Sequence, residues 1–333
     1  MAMDQDRLLG EAPAFLRILE EVSQVALLDK PVLIVGERGT GKELIAARLH
    51  FLSNRWEGQF LKMNCAAISD SLLESELFGH EAGAFTGATR THHGRFERAH
   101  GGTLFLDELA NTSVLVQEKL LRIIEYGDFE RVGGSKTLNC DVRLIAATND
   151  DLPRLAKAGK FRSDLLDRLA FDVLTLPPLR DREADIQLLA DHFAINMATE
   201  LGREYFPGFS NSARIALAEY PWPGNVRELK NVVERCVYRS NPDIEVEEII
   251  FDPFDSPFRP LDPSRSDPSH TDAAMDHTLP LDLKKTVQTF EIDLINQAMQ
   301  QGKHNQRKAA ELLSLTYHQM RGYLKKYELL KSD

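Results

Sequence analysis

The sequence predicts an α/β domain with a parallel sheet, then an all-helical subdomain, then a separate helical module at the C-terminal end. Three observations carry this reading. Strand-length apolar runs recur through the first half with helical patterning between them, polar residues follow each run directly, and the charge balance changes sign near the end of the chain. Near-continuous apolar strands alternating with helices belong to a parallel sheet covered on both faces.

The first run is Pro31-Val32-Leu33-Ile34-Val35, and it leads into Gly36-Glu37-Arg38-Gly39-Thr40-Gly41-Lys42 and a helical stretch from Glu43. The second is Phe60-Leu61-Lys62-Met63, followed by Asn64. Thr103-Leu104-Phe105-Leu106 ends in Asp107-Glu108, and Val142-Arg143-Leu144-Ile145-Ala146-Ala147 ends in Thr148-Asn149. Ligands bind at the carboxyl ends of the strands in open α/β sheets, so these scattered polar residues become one candidate site. From about Glu183 to Arg239 the pattern is helical, broken at Pro207-Gly208 and Pro221-Trp222-Pro223-Gly224. Residues 252–280 hold 6 of the 15 prolines with many Asp and Ser. That composition cannot pack a core and predicts a flexible linker, with a root-mean-square reach of about 30 Å if coil-like. The expected divisions are 1–176, 177–251, 252–280 and 281–333.

Composition narrows the classes. A chain of 333 residues, 43% hydrophobic, is long enough to bury substantial cores. No run of about 18 apolar residues occurs, and Met1-Ala2-Met3-Asp4-Gln5-Asp6 has no signal-peptide character, so a cytoplasmic protein is expected. Cys65, Cys140 and Cys236 fit neither a disulfide framework nor a zinc site and should be reduced thiols. Residues 281–333 carry 9 Lys+Arg against 6 Asp+Glu, leaving 31 against 45 for residues 1–280. A basic end on an acidic body suggests a polyanion-binding module, although a charge run is also the mark of a plain solvated face.

The loop after the first run has the composition of a phosphate-binding loop. Its glycines let backbone amides wrap phosphate oxygens, the following helix adds its N-terminal dipole, and Lys42 reaches the terminal phosphates. Glu43 stands where such loops usually carry Ser or Thr, which puts direct hydroxyl ligation of a metal there in doubt. Asp107-Glu108 supplies two carboxylates at the end of a buried strand, with Asp107 suited to Mg²⁺, directly or through water, and Glu108 to polarising a water. Taken alone, the same pair also fits a helix N-cap.

Between these elements lies Gly83-Ala84-Phe85-Thr86-Gly87-Ala88. An apolar tip between glycines is either a contact surface or a hairpin whose Phe85 tucks into the core. At the C-terminal end, Asn305 to Leu313 and Tyr317 to Lys326 read as two helices joined by Ser314-Leu315-Thr316, which fits a helix-turn-helix. Tyr317, His318, Gln319 and Arg321 are candidates to face bases, and Lys325 and Lys326 to meet phosphates.

In this order, the phosphate loop, the Gly83–Ala88 hexapeptide, Gly101-Gly102-Thr103-Leu104-Phe105-Leu106-Asp107-Glu108 and Trp222-Pro223-Gly224-Asn225-Val226-Arg227-Glu228-Leu229 resemble the AAA+ activators of sigma-54 RNA polymerase over roughly residues 8–245. The end resembles the Fis-type module of many such activators. The resemblance implies an AAA+ P-loop ATPase fold with a helical lid, ATP and Mg²⁺ as cofactors, and enhancer DNA as a partner. It implies that ATP hydrolysis remodels the closed sigma-54 polymerase complex into the open one. Gly83, Ala84, Phe85, Thr86, Gly87 and Ala88 would then contact sigma-54. Asn64 would couple to Glu108 as a nucleotide switch, Asn149 would be the first sensor, and Arg227 the lid sensor. Arg162 and Arg168 look like arginines that complete a neighbour's site, implying a ring, generally a hexamer.

Most members carry a sensing domain before the ATPase, whereas here the loop begins at residue 36, so none is expected. That architecture, with Glu37-Arg38-Gly39-Thr40 and Leu315-Thr316-Tyr317-His318-Gln319, resembles the family's phage-shock operon activators. It implies phage-shock promoters as targets and a trans-acting inhibitor of the phage-shock PspA type. Trp56 is a candidate anchor for such a partner, or a packing residue. Two other classes remain open, a DNA-bound repressor that does not remodel polymerase and a AAA+ chaperone or replication remodeller. The first has no use for Phe85-Thr86, and the second has none for a terminal DNA module.

Overall fold

In the computed structural model, which describes residues 8–254, 256, 258–259, 283–301 and 305–327, the four apolar runs become neighbouring strands. The chain runs α1 (Pro13–Ala26), β1 (Val32–Val35), α2 (Lys42–Phe51), β2 (Phe60–Asn64), α3 (Asp70–Phe78), α4 (Arg95–Arg98), β3 (Thr103–Asp107) and α5 (Val114–Tyr126). It continues through β4 (Asp128–Glu130), β5 (Thr137–Asn139), β6 (Arg143–Thr148), α6 (Leu152–Lys157), α7 (Ser163–Leu169) and β7 (Val173–Thr175). Five strands form one parallel sheet in the order β2-β3-β6-β1-β7, and β4 and β5 form a separate antiparallel hairpin.

Alternation along the strands assigns the two faces. Leu33, Leu104, Leu106, Leu144 and Ala146 pack with residues of α3, α5 and α7, while Val32, Ile34, Phe105, Ile145 and Ala147 pack against α1 and α2. Each fully buried Leu, Ile or Phe contributes about 1.5–3 kcal/mol relative to exposure, so both layers are held firmly to the sheet. All six residues of β6 are buried, Arg143 among them with its guanidinium donating to the Val25 and Ala26 carbonyls, as befits a strand inside the sheet. Its position matters for the site. It separates β1, which delivers the phosphate loop, from β3, which delivers Asp107 and Glu108.

The helical subdomain contains α8 (Glu183–Glu200), α9 (Asn211–Glu219) and α10 (Asn225–Arg239) around a core that includes Leu189, Phe209, Leu217, Leu229 and Val233. Trp222, half of the helix-breaking Trp-Pro pair, is fully buried with its indole N–H donating to the Leu217 carbonyl (2.9 Å). Cys65, Cys140 and Cys236 are buried free thiols, and burial pushes the Cys65 pKa up to about 12. Among the described residues no helix is long and apolar enough to cross a membrane.

The chain divides into two units at residues 255 and 256. Most of the expected linker, 252–280, lies outside the described residues. The second unit contains α11 (Leu283–Gln301), α12 (Gln306–Leu312) and α13 (Tyr317–Lys326), closed over Ile295, Ala298, Ala309, Ala310, Met320 and Leu324. The turn between α12 and α13 places Ser314 at φ 55°, the left-handed conformation that a glycine would hold more cheaply.

Candidate nucleotide site and its attached surfaces

Parallel register brings the polar strand ends level, with Val35 opposite Thr148 and Asn64 opposite Asp107. Above them opens a cavity of about 540 Å³. Its lining includes the charged side chains of Arg38, Lys42, Asp107, Glu108 and Arg227 and the apolar ones of Leu8, Leu9, Phe15, Leu189, Phe193 and Val226. A lining with both charged and apolar groups suits a nucleotide, phosphates against the first and base against the second.

The phosphate loop reaches its shape through Gly39 (φ 77°) and Gly41 (φ 95°), where side chains with a Cβ are strained. Lys42, buried at the start of α2, donates to the carbonyls of Gly36 (2.9 Å) and Glu37 (3.1 Å). Burial lowers its pKa, and Asp107 and Glu108 oppose that shift. Thr40 Oγ1 donates to the Glu37 carbonyl (2.8 Å), and Glu43 accepts a hydrogen bond from Lys62 (2.9 Å).

Glu108 sits at φ 54°, a left-handed conformation costing of order 1–3 kcal/mol and characteristic of functional sites. Arg38 Nε lies 3.8 Å from one carboxylate oxygen. The Asn149 amide, oriented to satisfy its neighbours, donates to the other (2.5 Å) while accepting from Arg38 Nε (3.3 Å). Asn64 instead turns its Oδ1 to the Ala66 amide (2.9 Å). The side chains beside Glu108 in this structure are thus Arg38 and Asn149, while Asn64 closes its own turn. Asp107 Oδ1 accepts from the Glu108 amide (2.9 Å), so its other oxygen is the hard donor suited to Mg²⁺.

The lid completes the cavity, and sequence reasoning missed several residues that hold it in place. Asn225, fully buried at φ 51°, donates to Glu37 and to the Arg38 carbonyl (both 3.0 Å) and accepts from the Leu179 amide (2.7 Å). Glu37 also accepts two hydrogen bonds from Arg180 (2.9 and 2.6 Å); these, with the one from Asn225, hold its pKa down to about 2. Asp185, buried in α8, accepts from the amides of Glu11 (2.5 Å) and Ala12 (2.9 Å), tying the chain just before α1 to the lid. It also takes a hydrogen bond from Arg182 (2.7 Å), whose guanidinium lies 3.7 Å above the Phe15 ring.

Arg162 and Arg168 stand at α7, outside this cavity. Arg162 pairs with Asp164 (2.7 Å) and Arg168 with Glu125 (2.9 Å), both toward solvent.

The Gly83–Ala88 loop lies between α3 and α4. Gly83 (φ 85°) and Gly87 (φ 100°) turn it, and the Gly83 amide donates to the Ala88 carbonyl (2.7 Å). Phe85 is 45% exposed, which places it outside the core, with its ring edge-on to His80 (4.9 Å between centroids). The stem is fastened by charge. Arg131 donates to Glu81 (2.7 Å) and to both oxygens of Glu97 (2.8 and 2.6 Å). Burial would raise the Glu97 pKa, but hydrogen bonds from Arg131 and His93 outweigh it and bring the value to about 2. Trp56 is 58% exposed.

On α13, His318, Arg321 and Lys325 are exposed at spacings of three and four, opposite buried Met320 and Leu324. Tyr317 is half-buried under the Arg307 guanidinium (5.7 Å). Gln319, expected to face bases, accepts from the Thr316 amide and Thr316 hydroxyl (2.9 Å each), and its amide donates to Thr316 Oγ1, forming a capping box. Lys326, expected at phosphates, pairs with Glu291 (3.4 Å) and donates to the Tyr327 hydroxyl (2.5 Å).

Comparison with known proteins finds matches to three stretches of the chain. Residues 8–175 match the sigma-54 interaction domain, 180–254 the AAA+ ATPase lid domain, and 286–327 the Fis family of bacterial regulatory proteins. The chain is 59% identical over 330 residues to the Psp operon transcriptional activator of Escherichia coli (strain K12), covering 99% of this chain and 100% of that protein. It is 42% identical to the regulatory protein AtoC of the same organism, covering 98% of this chain and 68% of the relative. The crystal structure of NtrX from Brucella abortus in complex with ATP superposes with a TM-score of 0.69 at 30% identity, covering 97% of this chain and 71% of that one.

Proposed function

The chain belongs to the AAA+ activators of sigma-54 RNA polymerase, and from that membership we propose that it couples ATP hydrolysis at the Lys42–Glu108 cavity to opening of promoter complexes through the Gly83–Ala88 loop. Sigma-54-dependent activation, ATP binding and DNA binding belong to the family as a whole. The assignment of roles to residues is specific to this reading, and so is the coupling.

One observation carries it. Lys42, Asp107, Glu108 and Arg227, distant in sequence, line one cavity, with Asn149 hydrogen-bonded to Glu108, while Phe85 stands half-exposed on a loop springing from the same domain. In this reading Lys42 and the loop amides hold the phosphates, and Asp107 holds Mg²⁺, which would neutralise charge on the phosphate oxygens. Glu108 takes a proton from the attacking water once Arg38 and Asn149 release it. Arg227 senses the terminal phosphate from the lid. The outward placement of Arg162 and Arg168 supports their serving a neighbouring subunit, and hence a ring, with a hexamer as the family's usual form.

The exposed His318, Arg321 and Lys325 face of α13 supports recognition of enhancer DNA, at phage-shock promoters by likeness to the Psp operon activator. The exposed Trp56 supports an anchor for a trans-acting inhibitor of the PspA type.

Transcription in vitro with sigma-54 polymerase tests the proposal, comparing the wild type with Glu108→Gln and Phe85→Ala. Open complexes should form with the wild type in an ATP-dependent manner and fail with both variants, for different reasons. Open-complex formation by Phe85→Ala at the wild-type rate would refute the loop's role.

A further inference from the structure

The lid grips the phosphate loop at Glu37, Arg38 and Gly39. Glu37 accepts from both terminal nitrogens of Arg180 (2.9 and 2.6 Å) and from Asn225 (3.0 Å). Asn225 also donates to the Arg38 carbonyl (3.0 Å) and accepts from the Leu179 amide (2.7 Å). Its side chain thus ties the loop, the start of the lid and the first residue of α10 together. Asn225 is fully buried in a left-handed backbone conformation that non-glycine residues resist, so the surrounding structure must hold it there. Backbone packing closes the same joint, since a Cβ on Gly39 would lie 2.3 Å from the Gly224 carbonyl oxygen.

We infer that Glu37, Arg180 and Asn225 form a latch between lid and phosphate loop, and that these positioning residues set the loop geometry on which grip of the nucleotide's α- and β-phosphates depends. The inference deepens the nucleotide-site reading above and rests on it. A glycine-rich loop has many backbone states, and its amides converge on phosphate oxygens in few of them. Lys42 pins the carbonyls of Gly36 and Glu37 from inside the cavity. The latch holds the Glu37 side chain and the Arg38 carbonyl. Lid position and diphosphate affinity therefore form one linked equilibrium, in which whatever moves the lid loosens the loop and whatever fills the loop seats the lid. This route is separate from Arg227, which in the reading above senses the terminal phosphate.

Titration of fluorescent ADP and ATP analogues into the full chain, with thermal melting as a check on folding, decides the matter. Asn225→Ala should weaken both nucleotides in parallel, by about tenfold, since it removes the equivalent of one to two net hydrogen bonds from the loop. Arg180→Ala and Glu37→Ala should each weaken both by about threefold, and the double variant should be no worse than the poorer single one. Glu37→Gln, which keeps an acceptor for Asn225, should recover part of the Glu37→Ala loss. Wild-type affinity in folded Arg180→Ala and Glu37→Ala, additive losses in their double variant, or weakening of ATP alone would each overturn the latch. Should Asn225→Ala melt below the assay temperature, the half-exposed Glu37–Arg180 pair still supplies the answer. Failure of the wild type itself to bind nucleotide would overturn the site reading, and the latch with it.

Discussion

The nucleotide cavity and the Gly83–Ala88 loop belong to the same α/β domain, yet they are held by opposite means. In the cavity Lys42, Glu108 and Glu37 are each held by a partner beside them. Lys42 bonds to loop carbonyls, Glu108 sits between Arg38 and Asn149, and Glu37 is bound to the lid. The loop is fixed at its stem, where Arg131 bridges Glu81 and Glu97, while Phe85 at the tip leans on His80 with nearly half its surface in solvent. Chemistry needs atoms held within tenths of an ångström, whereas a contact that must come and go needs a firm base and a free tip.

The largest test of this contrast is Glu108→Gln. It should keep nucleotide affinity and lower turnover by about 10²–10⁴-fold, measured as phosphate release, because general-base assistance is lost while the cavity stays intact. Turnover near the wild-type level would remove Glu108 from the chemistry. Phe85→Ala comes next. Truncating an aromatic anchor costs about 2 kcal/mol, or roughly thirtyfold in sigma-54 binding, with ATP turnover and melting temperature nearly unchanged. A drop in melting temperature would mean that Phe85 supports the domain after all.

Arg131→Ala addresses the stem, and should speed hydrogen exchange at the amides of Glu81 and Ala88 by about tenfold while sparing turnover, as unpaired carboxylates no longer brace the base. The same pairing has an acid signature. Glu97 is held down to about 2 from an ordinary value of 4.5, so its contribution is complete above about pH 4.5 and disappears as the pH falls toward 2. Stem protection in the wild type should follow that course, and in Arg131→Ala the step should be largely absent. The smallest effect belongs to the second unit. Ser314→Gly relieves the left-handed strain at the α12–α13 turn and should slow exchange in α13 by an amount equivalent to about 1 kcal/mol.

Much of this molecule can be read from its chain, and the exceptions share a cause. The strands β1, β2, β3 and β6 are apolar and four to six residues long, so they stand out. The edge strand β7 and the β4–β5 hairpin have three residues each, too few to show a period. Glycine spacing exposes the phosphate loop and the Phe85 loop because those shapes need glycine at particular positions. Asn225 is different. Its partners Glu37 and Leu179 lie 188 and 46 residues away, and nothing local in Pro223-Gly224-Asn225 reveals them. Gln319 forms a capping box with Thr316, three residues ahead of it, and that pattern is local enough to be visible in the chain.

Asp185 bears on how the protein is made. The first helix begins at Pro13, yet the acceptor for the two amides just before it lies in α8, 173 residues beyond Ala12. At synthesis rates of about 5–20 residues per second, roughly 9–35 s pass between the two leaving the ribosome's decoding site. Until then Leu9 and Phe15 lack the partner that fixes them, and the wall of the cavity that would face a base is unfinished. Nucleotide can therefore be held properly only by a chain whose lid has already emerged, which ties the first use of the site to completion of the domain.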